Sequence, residues 1–550
     1  MPAKSARAGK TAAARSPRAE TGPLRVLIAD QLSEDGIRLL KDEPGLTVDI
    51  KTGLAPKELA EIIGPYHGLV VRSATKVTAE VIAKADNLKV IGRAGVGIDN
   101  VDGEAATKRG IIVMNVPAGN TISTAEHTCS MIMAMARRIP QAEASLRAGL
   151  WERSKFVGTE LFGKTLGIVG MGKIGAEVAK RMQAFGMQIL AYDPFLSPER
   201  AQQMDVQMAD LPTLYRQADI ITVHVPLSAE TKGMIGEKEI GMMKKGVRLV
   251  NCARGGIISE QALAKALDEG KVAGAAVDVF EQEPPPKDHP LLKSDKVVVV
   301  PHLGASTAEA QLNVAIEMAK QVADALLGRG IRNAVNMPSI DAKTLQVLKP
   351  YIELAEKLGS LASQLIGGQV SEVRVTYAGD VTNQDTSPVT LAMLKGILQP
   401  IVGEGVNYVN ASFIAAERGV KVVEAKASKM EEFANLLALE VRSNGTSLTL
   451  QGTLSARREP RIVKIDRYFV EASPEGYMLI IKNQDKPGLI GALGTLLGEA
   501  KINIAGMTNG RDEPGGMAIT VVNIDNAVPP KVMEQVKKLK HVVDAKLITL

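Results

Sequence analysis

A glycine-rich turn that follows an apolar run and opens a helical stretch is the feature that most constrains this chain of 550 residues. The run Lys164–Gly170 leads into Gly170-Met-Gly172-Lys-Ile-Gly175, and a helical pattern continues to Phe185. In such a unit the first glycine allows the tight turn, the second lets the backbone approach a pyrophosphate, and the third lets the helix pack on the strand. Exposed amides at the helix N-terminus attract phosphates. The segment therefore predicts a dinucleotide site at Gly170, Gly172 and Gly175.

An acidic residue at the end of the next strand distinguishes between the two nicotinamide dinucleotides. The apolar stretch Gln188–Tyr192 ends at Asp193, 18 positions after Gly175. A carboxylate there accepts hydrogen bonds from the adenosine ribose and repels the 2′-phosphate of NADP. Pro194 and Phe195 follow, so no arginine offsets the repulsion. We therefore expect NAD as the cofactor, with Asp193 on its ribose.

Short apolar runs alternate with helical stretches from residue 23 to 336, which predicts an α/β fold with two Rossmann-like, doubly wound parallel sheets. A connector helix is expected at Thr121–Arg137, and a helix near Ser306–Leu327 returns the chain to the first lobe. The first lobe is therefore expected to be discontinuous, at 23–120 and 302–336, around a cofactor lobe at 121–301. The strands are expected at Leu24–Asp30, Leu69–Val71, Val90–Ile91 and Ile111–Val113, and then at Leu166–Gly170, Gln188–Tyr192, Ile220–His224, Arg248–Asn251, Gly274–Asp278 and Val297–Val300.

Two further units are expected after a boundary at Asn336-Met-Pro338. Residues 337–466 mix helical and strand patterns without a recognisable motif, which indicates an intervening α+β domain. Residues 475–550 follow a βαββαβ order, which predicts a small ferredoxin-like domain. Its elements are expected at Tyr477–Asn483, Gly488–Glu499, Ile502–Asn509, Met517–Ile524, Lys531–Leu539 and Val542–Ile548.

Composition excludes several classes of protein. The net charge is only +5 and much of it lies in residues 1–22, a stretch expected to be a disordered basic tail, so charge gives no argument for nucleic-acid binding. Two cysteines cannot form a disulfide framework, and no uninterrupted apolar run is long enough for a membrane span. A cytoplasmic location is expected, unless the basic tail is an organelle transit peptide. No spacing of His, Asp and Glu indicates a metal site.

Three polar residues with complementary chemistry follow three apolar strands of the second series. Arg254 comes after the strand ending at Asn251, Glu283 follows the next strand, and His302 comes directly after Val297–Val300. Ligands bind at the carboxyl edge of such sheets. A guanidinium binds a carboxylate, an imidazole takes a hydroxyl proton near neutral pH, and a carboxylate orients the imidazole. Each residue alone has a structural explanation, but together with a dinucleotide motif the three predict a hydride-transfer site for a 2-hydroxy acid.

These motifs resemble the D-2-hydroxyacid dehydrogenase family over Leu24 to about Met337, and in that family the catalytic Arg, Glu and His match Arg254, Glu283 and His302. The segments Val71–Thr75, Gly92–Asn100 and Pro301–Thr307 are similar to its phosphoglycerate dehydrogenase branch. The resemblance implies NAD-dependent oxidation of 3-phospho-D-glycerate to 3-phosphooxypyruvate, the first step of L-serine biosynthesis. His302 would take the hydroxyl proton, Glu283 would hold His302, and Arg254 would anchor the carboxylate or polarise the carbonyl.

The resemblance also implies further binding residues. Arg72, and with a weaker match Arg93, would bind the phosphorylated substrate, while Arg153, after Trp151, would act in a partner subunit. Val96 and Val225 stand where the family often has threonine, so only backbone contacts to the cofactor are expected there. The other matching cofactor positions are Lys173, Ile174, Cys252, Ala253, Asp278, Leu303, Gly304 and Ala305.

The C-terminal half is similar to that of the long members of the branch. Residues 337–466 resemble their intervening domain, and residues 475–550 resemble an ACT domain, a small effector-binding fold. L-serine is the effector that this implies, although a purely assembling role stays open, and a homo-oligomer, with a tetramer as the family's usual form, is expected. The matching effector positions are Asp485, Gly488, Ile490, Asn503 and Ile504.

Two other functions fit parts of the sequence. A glyoxylate or hydroxypyruvate reductase would share the site but should lack both C-terminal domains. A non-catalytic NAD-sensing interaction protein can retain Arg254, Glu283 and His302, so the C-terminal domain distinguishes it better than the site does.

Overall fold

The computed structural model describes residues 22–403, 405–427, 433 and 435–550. The expected tail at residues 1–22 lies outside these residues, apart from Gly22. Within the described part, no helix combines the length and the apolar character needed to cross a bilayer.

The first lobe is a five-stranded parallel sheet in the order β2-β1-β3-β4-β5. β2 is a partly exposed strand at the edge of the sheet, and the sequence analysis missed it because it carries no continuous apolar run. The elements are β1 (Leu24–Ile28), α1 (Glu34–Lys41), β2 (Leu46–Ile50), α2 (Pro56–Ile62), β3 (Gly68–Val71), α3 (Ala79–Ala83), β4 (Val90–Arg93), α4 (Gly103–Lys108) and β5 (Ile112–Met114).

The second lobe is a seven-stranded parallel sheet in the order β12-β11-β10-β9-β6-β7-β8. It is preceded by α5 (Thr121–Arg137), α6 (Ile139–Arg147) and a 3₁₀ turn at Arg153–Phe156. The elements of the lobe are β6 (Thr165–Val169), α7 (Lys173–Ala184), β7 (Gln188–Tyr192), α8 (Pro198–Gln203), β8 (Gln207–Met208), α9 (Leu211–Gln217), β9 (Ile220–Val223), α10 (Glu237–Met242), β10 (Val247–Asn251), α11 (Glu260–Asp268), β11 (Val272–Val277), α12 (Pro290–Lys293) and β12 (Val297–Val299).

The chain crosses between the lobes twice, at the N-terminal end of α5 and after β12. The second crossing leads into α13 (Ala308–Leu326), whose buried side chains Val314, Met318 and Val322 belong to the core around β1 and β4. The first lobe is therefore built from two separate segments, and a cleft runs between the lobes at the carboxyl ends of their strands.

The third unit packs the helices α14 and α15 on a mixed six-stranded sheet with the order β14-β13-β15-β16-β17-β18. The sheet runs past the expected boundary at residue 466, because β18 pairs with β17. Its elements are α14 (Ala342–Ile366), β13 (Val370–Gly379), α15 (Ser387–Val402), α16 (Ala411–Glu417), β14 (Lys421–Ala427), β15 (Asn435–Ser443), β16 (Thr446–Leu454), β17 (Pro460–Ile465) and β18 (Tyr468–Ala472).

The fourth unit has the predicted βαββαβ order and an antiparallel sheet, β20-β21-β19-β22. One sheet face packs against its own helices, and the other joins the core of the third unit through side chains such as Met478, Ile480 and Val521. Its elements are β19 (Tyr477–Gln484), α17 (Leu489–Glu499), β20 (Ile504–Arg511), β21 (Met517–Ile524), α18 (Pro530–Lys537) and β22 (Val542–Thr549). The predicted fold class, two Rossmann-like lobes followed by two α+β domains, is confirmed.

Candidate active site

The three glycines after β6 have the geometry of a pyrophosphate-binding turn. Gly170 has φ +98°, and a Cβ atom there would lie 2.8 Å from the carbonyl oxygen of His224. A Cβ on Gly175 would lie 2.1 Å from the carbonyl oxygen of Gly170, so α7 packs too closely on the turn for any side chain. A Cβ on Gly172 would meet nothing within 4 Å. The first and third glycines are therefore required for the turn itself, whereas the second leaves space open for a ligand.

Asp193 lies beside this turn at the end of β7. Its Oδ2 accepts the N–H of Met171 at 2.7 Å, and its Oδ1 accepts the N–H of Phe195 at 2.8 Å. Lys173 is exposed at the start of α7 and lines a cavity of about 460 Å³ together with Val116–Gly119 and part of α13. An open glycine, a helix N-terminus, a lysine and a carboxylate at the end of β7 fit a dinucleotide without a 2′-phosphate.

His302 and Glu283 are brought together from the ends of different strands. Nδ1 of His302 lies 2.8 Å from Oε2 of Glu283, while Oε1 of the same carboxylate accepts the N–H of Phe280 at 3.1 Å. Burial raises the pKa of Glu283, but the hydrogen bonds from His302 and Phe280 outweigh it and hold the pKa below its usual value. Because Nδ1 faces the carboxylate, Nε2 is the ring atom left to exchange a proton with a substrate.

Asp278 fixes the backbone of His302 and of the two residues that follow it. The N–H of His302 donates to the carbonyl oxygen of Asp278 at 2.9 Å. Its Oδ1 accepts the N–H of Leu303 at 2.6 Å, and its Oδ2 accepts the N–H of Gly304 at 3.0 Å. Burial alone would raise the pKa of Asp278. His127 and the N–H of Leu303 lower the pKa by more than burial raises it, so the buried group is held as a carboxylate. His302 itself has φ +55°.

Three arginines converge on the loop that follows β4. Nε of Arg254 lies 3.1 Å from Oδ2 of Asp99, and a Cβ on Gly97 would lie 1.9 Å from its Nη2. A Cβ on Gly95 would lie 1.6 Å from Nη1 of Arg93. The backbone N–H of Arg72 donates to Oδ2 of the buried Asp30 at 2.6 Å. Arg254 of the second lobe and Arg72 of the first lobe thus both lie close enough to Arg93 to repel its positive charge.

Arg93 lies in an environment that disfavours its positive charge. Burial, followed by the positive charge of Arg254, lowers the pKa of Arg93 to about 10. Its Nε atom is buried and has no hydrogen-bond partner among the described residues. A multiply charged anion would relieve this repulsion, so the geometry favours Arg93 as a substrate residue more strongly than the sequence did.

The remaining predicted cofactor positions follow strand ends or lie on α7, and several of them interact through the backbone. The carbonyl oxygen of Val96 accepts Nδ2 of Asn115 at 2.5 Å, and Val225 packs beside Gly170. Cys252 is buried, and burial raises the pKa of its thiol, so it is a neutral packing group. Ala253 belongs to the turn before Arg254, where its N–H donates to Oδ1 of Asn251 at 3.1 Å. Among the others, Ile174 lies on α7, and Leu303 and Gly304 donate their N–H groups to the Asp278 carboxylate. Ala305 lies in the segment between β12 and α13.

Arg153 is not brought to this cleft within one chain. It is exposed in the 3₁₀ turn that follows α6, a helix without a buried residue. Large apolar side chains are exposed around it, and Trp151 and Phe162 are 75% and 78% exposed. Leu161 packs into the core of the second lobe and Phe156 stacks on Arg138, so the segment is anchored while Trp151 and Phe162 stay exposed.

The predicted effector residues divide between the two ends of the fourth sheet. Asp485 and Gly488 follow β19, where Oδ2 of Asp485 pairs with Arg511 at 2.8 Å. Asn503 and Ile504 lie at the other end, because Ile504 and Tyr477 both pair with Ile524. Asn503 donates Nδ2 to Asp525 at 2.8 Å, and Ile490 is exposed on α17. A single subunit therefore does not gather these five positions into one site.

Several residues near the cleft were missed from the sequence. Asp30, at the end of β1, holds both the backbone N–H of Arg72 and the side chain of Thr75. Nδ2 of Asn100 donates to the carbonyl oxygens of Arg72 and Thr75, each at 2.6 Å. Asp30 and Asn100 follow strand ends or short loops at the ligand edge of the first sheet, which was the available signal.

His127, Cys252 and Asp278 place potential metal ligands within 4.8 Å of one another, a grouping that the sequence did not indicate. Both carboxylate oxygens of Asp278 already accept backbone N–H groups, so we interpret the grouping as support for the His302 loop. The other histidine near the cleft, His224, interacts through Nε2 with Thr222 at 3.1 Å, and burial lowers its pKa to about 4.

The chain matches three protein-family models. They are the NAD binding domain of D-isomer specific 2-hydroxyacid dehydrogenases at residues 129–304, the D-3-phosphoglycerate dehydrogenase intervening domain at 347–466, and the ACT domain at 477–541. Among solved structures, a glyoxylate reductase from Paecilomyes thermophila is 29% identical with a TM-score of 0.53, and D-lactate dehydrogenase from Escherichia coli is 28% identical with a TM-score of 0.51. Each similarity covers 57% of this chain, and 98% and 100% of the other chain.

Fold and site together define an NAD-dependent dehydrogenase of the D-2-hydroxyacid class. The chain is 48% identical to D-3-phosphoglycerate dehydrogenase of Archaeoglobus fulgidus and 44% identical to that of Bacillus subtilis, in each case over 96% of its length and at least 99% of the relative. It belongs to the D-3-phosphoglycerate dehydrogenase family.

Proposed function

We propose that this protein oxidises 3-phospho-D-glycerate to 3-phosphooxypyruvate with NAD, the first step of L-serine biosynthesis. The observation that carries the proposal is the convergence of Arg72, Arg93 and Arg254 near the loop after β4, in a chain that also forms the His302–Glu283 pair. A substrate with a carboxylate and a phosphate supplies the negative charge that these guanidinium groups lack. The nearest alternative, a reductase of unphosphorylated acids, brings only a carboxylate to a cluster in which Arg254 and Arg72 repel Arg93 and only Asp99 and Asp30 offset that charge.

The residues of the chain move the proton and hold the substrate, and the hydride is left for the cofactor. Nε2 of His302 takes the proton of the C2 hydroxyl, and the imidazolium that forms is stabilised by Glu283 at Nδ1. Arg254 holds the carboxylate and fixes the face of C2 presented to the cofactor cleft. As the C2–H bond breaks, the C2–O bond becomes a carbonyl. NAD, when bound at the Gly170–Gly175 turn, supplies the hydride acceptor.

Substrate specificity is tested by following NADH absorbance with four substrates separately: 3-phospho-D-glycerate, D-glycerate, lactate and malate. We expect reduction of NAD with the phosphorylated acid and little or none with the others. Preference for an unphosphorylated acid would keep the dehydrogenase and overturn the phosphoglycerate assignment.

We further propose that the protein is a homo-oligomer, with at least a dimer formed through the segment 139–163 and a tetramer as the complete assembly. The apolar surface around Trp151 supports this, since contiguous exposed apolar surface marks interaction sites. In such a dimer Arg153 reaches the partner's cleft. Mixing an Arg153→Ala subunit with a His302→Ala subunit tests this, because each inactive variant then supplies what the other lacks and activity returns.

L-serine is proposed as the effector of the C-terminal domain. The two halves of its predicted site lie at opposite ends of one sheet, so a site that uses both requires two subunits. Asn503 is exposed at one of these ends. Serine titrations of the wild type and of Asn503→Ala test the proposal: inhibition of the wild type, weakened in the variant, supports it, and an unaffected wild type favours a purely assembling role.

A further inference from the structure

The N-terminal half of α5 presents three polar side chains to the loop that carries the catalytic histidine. Ser123, Thr124 and His127 share one face of the helix, because their spacings are three and four residues. Oγ of Ser123 lies 2.8 Å from Oγ1 of Thr307, and Oγ1 of Thr124 donates to the carbonyl oxygen of Gly304 at 3.0 Å. The loop after His302 is thus fastened to α5 at two positions.

The third side chain on this face reaches the carboxylate that supports the loop. Nε2 of His127 lies 3.3 Å from Oδ1 of Asp278, an ion-pair distance without the alignment of a hydrogen bond. The Asp278 side chain is 1% exposed, so the charge of its carboxylate is little screened by water. The same Oδ1 atom accepts the N–H of Leu303, the residue directly after His302.

We propose that His127 is a positioning residue for hydride transfer, which acts through Asp278 on the loop that holds His302. It does not touch the reacting atoms. It stabilises and orients the Asp278 carboxylate, which in turn accepts the N–H groups of Leu303 and Gly304. Since His302 sits in the left-handed region at φ +55°, its imidazole depends on this backbone being held. The inference rests on the proposed dehydrogenase activity.

The main test compares His127→Leu with His127→Gln in the full-length enzyme. Leucine removes the ring nitrogens, whereas the glutamine amide places an N–H at a similar reach. We expect His127→Leu to lower kcat about 10-fold to 100-fold, because small displacements of reacting groups carry effects of this size. The KM for 3-phospho-D-glycerate should change less than about threefold, and His127→Gln should recover most of the loss.

Two further measurements separate positioning from folding. With substrate deuterated at C2, the isotope effect on kcat should rise in His127→Leu, since the chemical step becomes rate-limiting. Hydrogen exchange of the apo protein should accelerate in the peptide around Leu303 and Gly304 and stay unchanged in β7. Equal losses in the Leu and Gln variants, or a lower kcat with an unchanged isotope effect and unchanged exchange, would overturn the proposal.

Two substitutions on the same helix serve as controls. Thr124→Val keeps the shape of the side chain and removes the donor to Gly304, so it should lower kcat by about threefold and keeps the proposal testable if His127→Leu does not fold. Ser130→Ala, on the exposed side of α5, should change nothing. Absence of activity in the wild type would refute the proposed function, whereas an active wild type with equally active His127 and Thr124 variants would refute this inference alone.

Discussion

Nδ1 of His302 and Oε2 of Glu283 lie 2.8 Å apart although the two residues are 19 positions apart in the chain, on loops that follow different strands. The carboxylate is further fixed by the N–H of Phe280. The pair therefore defines one ring tautomer, in which Nδ1 faces Glu283 and Nε2 is the nitrogen without a carboxylate partner.

Glu283→Gln should lower kcat about 100-fold or more, because the amide cannot stabilise the imidazolium that forms during oxidation. Steady-state kinetics at saturating NAD measure the effect. Glu281→Gln, an exposed acid two residues earlier, is the matched control and should retain full activity. A Glu283→Gln enzyme with the kcat of the wild type would contradict the role of the pair.

The same carboxylate should make stability depend on pH. The pKa of Glu283 is lowered in the folded protein, against the effect of burial, by His302 and the N–H of Phe280. Its contribution is therefore fully present above the pKa of an unfolded glutamate, about 4.3, and is lost as the pH falls through the lower folded value. Melting curves of the wild type and Glu283→Gln should differ at pH 7 and converge below about pH 4. A difference that grows toward acid pH would reverse the sign.

Arg93→Gln should raise the KM for 3-phospho-D-glycerate about 10-fold or more, since a charge-assisted contact to the substrate is lost. The effect on D-glycerate should be smaller. Arg109→Gln, in the same lobe but paired with Asp86 at the surface at 3.4 Å, is the control. If Arg93→Gln and Arg109→Gln changed KM equally, the cause would be the lower net positive charge of the protein, and a specific contact of Arg93 with the substrate would be refuted.

Two glycines of the turn should respond differently to alanine. Gly175→Ala forces a Cβ against the carbonyl oxygen of Gly170 and should destabilise the fold by about 1–3 kcal/mol. Gly172→Ala meets no protein atom within 4 Å, so its melting temperature should stay near that of the wild type while the KM for NAD rises. Calorimetry and NAD titrations together distinguish the two. A destabilised Gly172→Ala enzyme with an unchanged KM would contradict the open space assigned to the cofactor.

The third unit contacts the first lobe at a glycine. Nδ2 of Asn407 donates to the carbonyl oxygen of Gly110 at 2.9 Å, and a Cβ on Gly110 would lie 2.0 Å from that nitrogen. Gly110→Ala should therefore lower the melting temperature more than Gly53→Ala, a matched control with a similar positive φ and open surroundings. Adding Asn407→Ala should recover part of the difference. Equal decreases in melting temperature for the Gly110 and Gly53 variants would show that the contact between Gly110 and Asn407 does not stabilise the fold.

Local patterns predicted most of the two lobes, because buried parallel strands form continuous apolar runs and their carboxyl ends collect ligand residues. The edge strands β2 and β8 were not predicted, since they are short or half exposed and carry no continuous apolar run. Arg254, Glu283 and His302 were predicted for the same reason as the strands, as each follows one. The contact between Glu283 and His302 was an expectation that only the fold could test, and the fold shows it.

The role of Arg93 and the support from His127 depend on contacts between distant parts of the chain. Arg93 gains its importance from Arg254, on the other lobe, and His127 from Asp278, on another strand. No local periodicity encodes such pairs. The effector positions Asp485 and Asn503 illustrate a further limit of sequence analysis. They lie at opposite ends of one sheet, and a site formed by two subunits cannot be recognised from the order of residues in one chain.

The inner face of the C-terminal sheet has a consequence for how this enzyme can be divided. Side chains such as Ile480 and Ile548 lie in the same core as α14, and Nζ of Lys546 donates to the carbonyl oxygen of Leu365 at 2.5 Å. The inner face of the ACT domain therefore belongs to a core that it shares with the third unit. A truncation after β18 would expose that apolar core and promote aggregation rather than yield a smaller enzyme. The sheet packs against α14, a helix of 25 residues, so the two C-terminal units share one core.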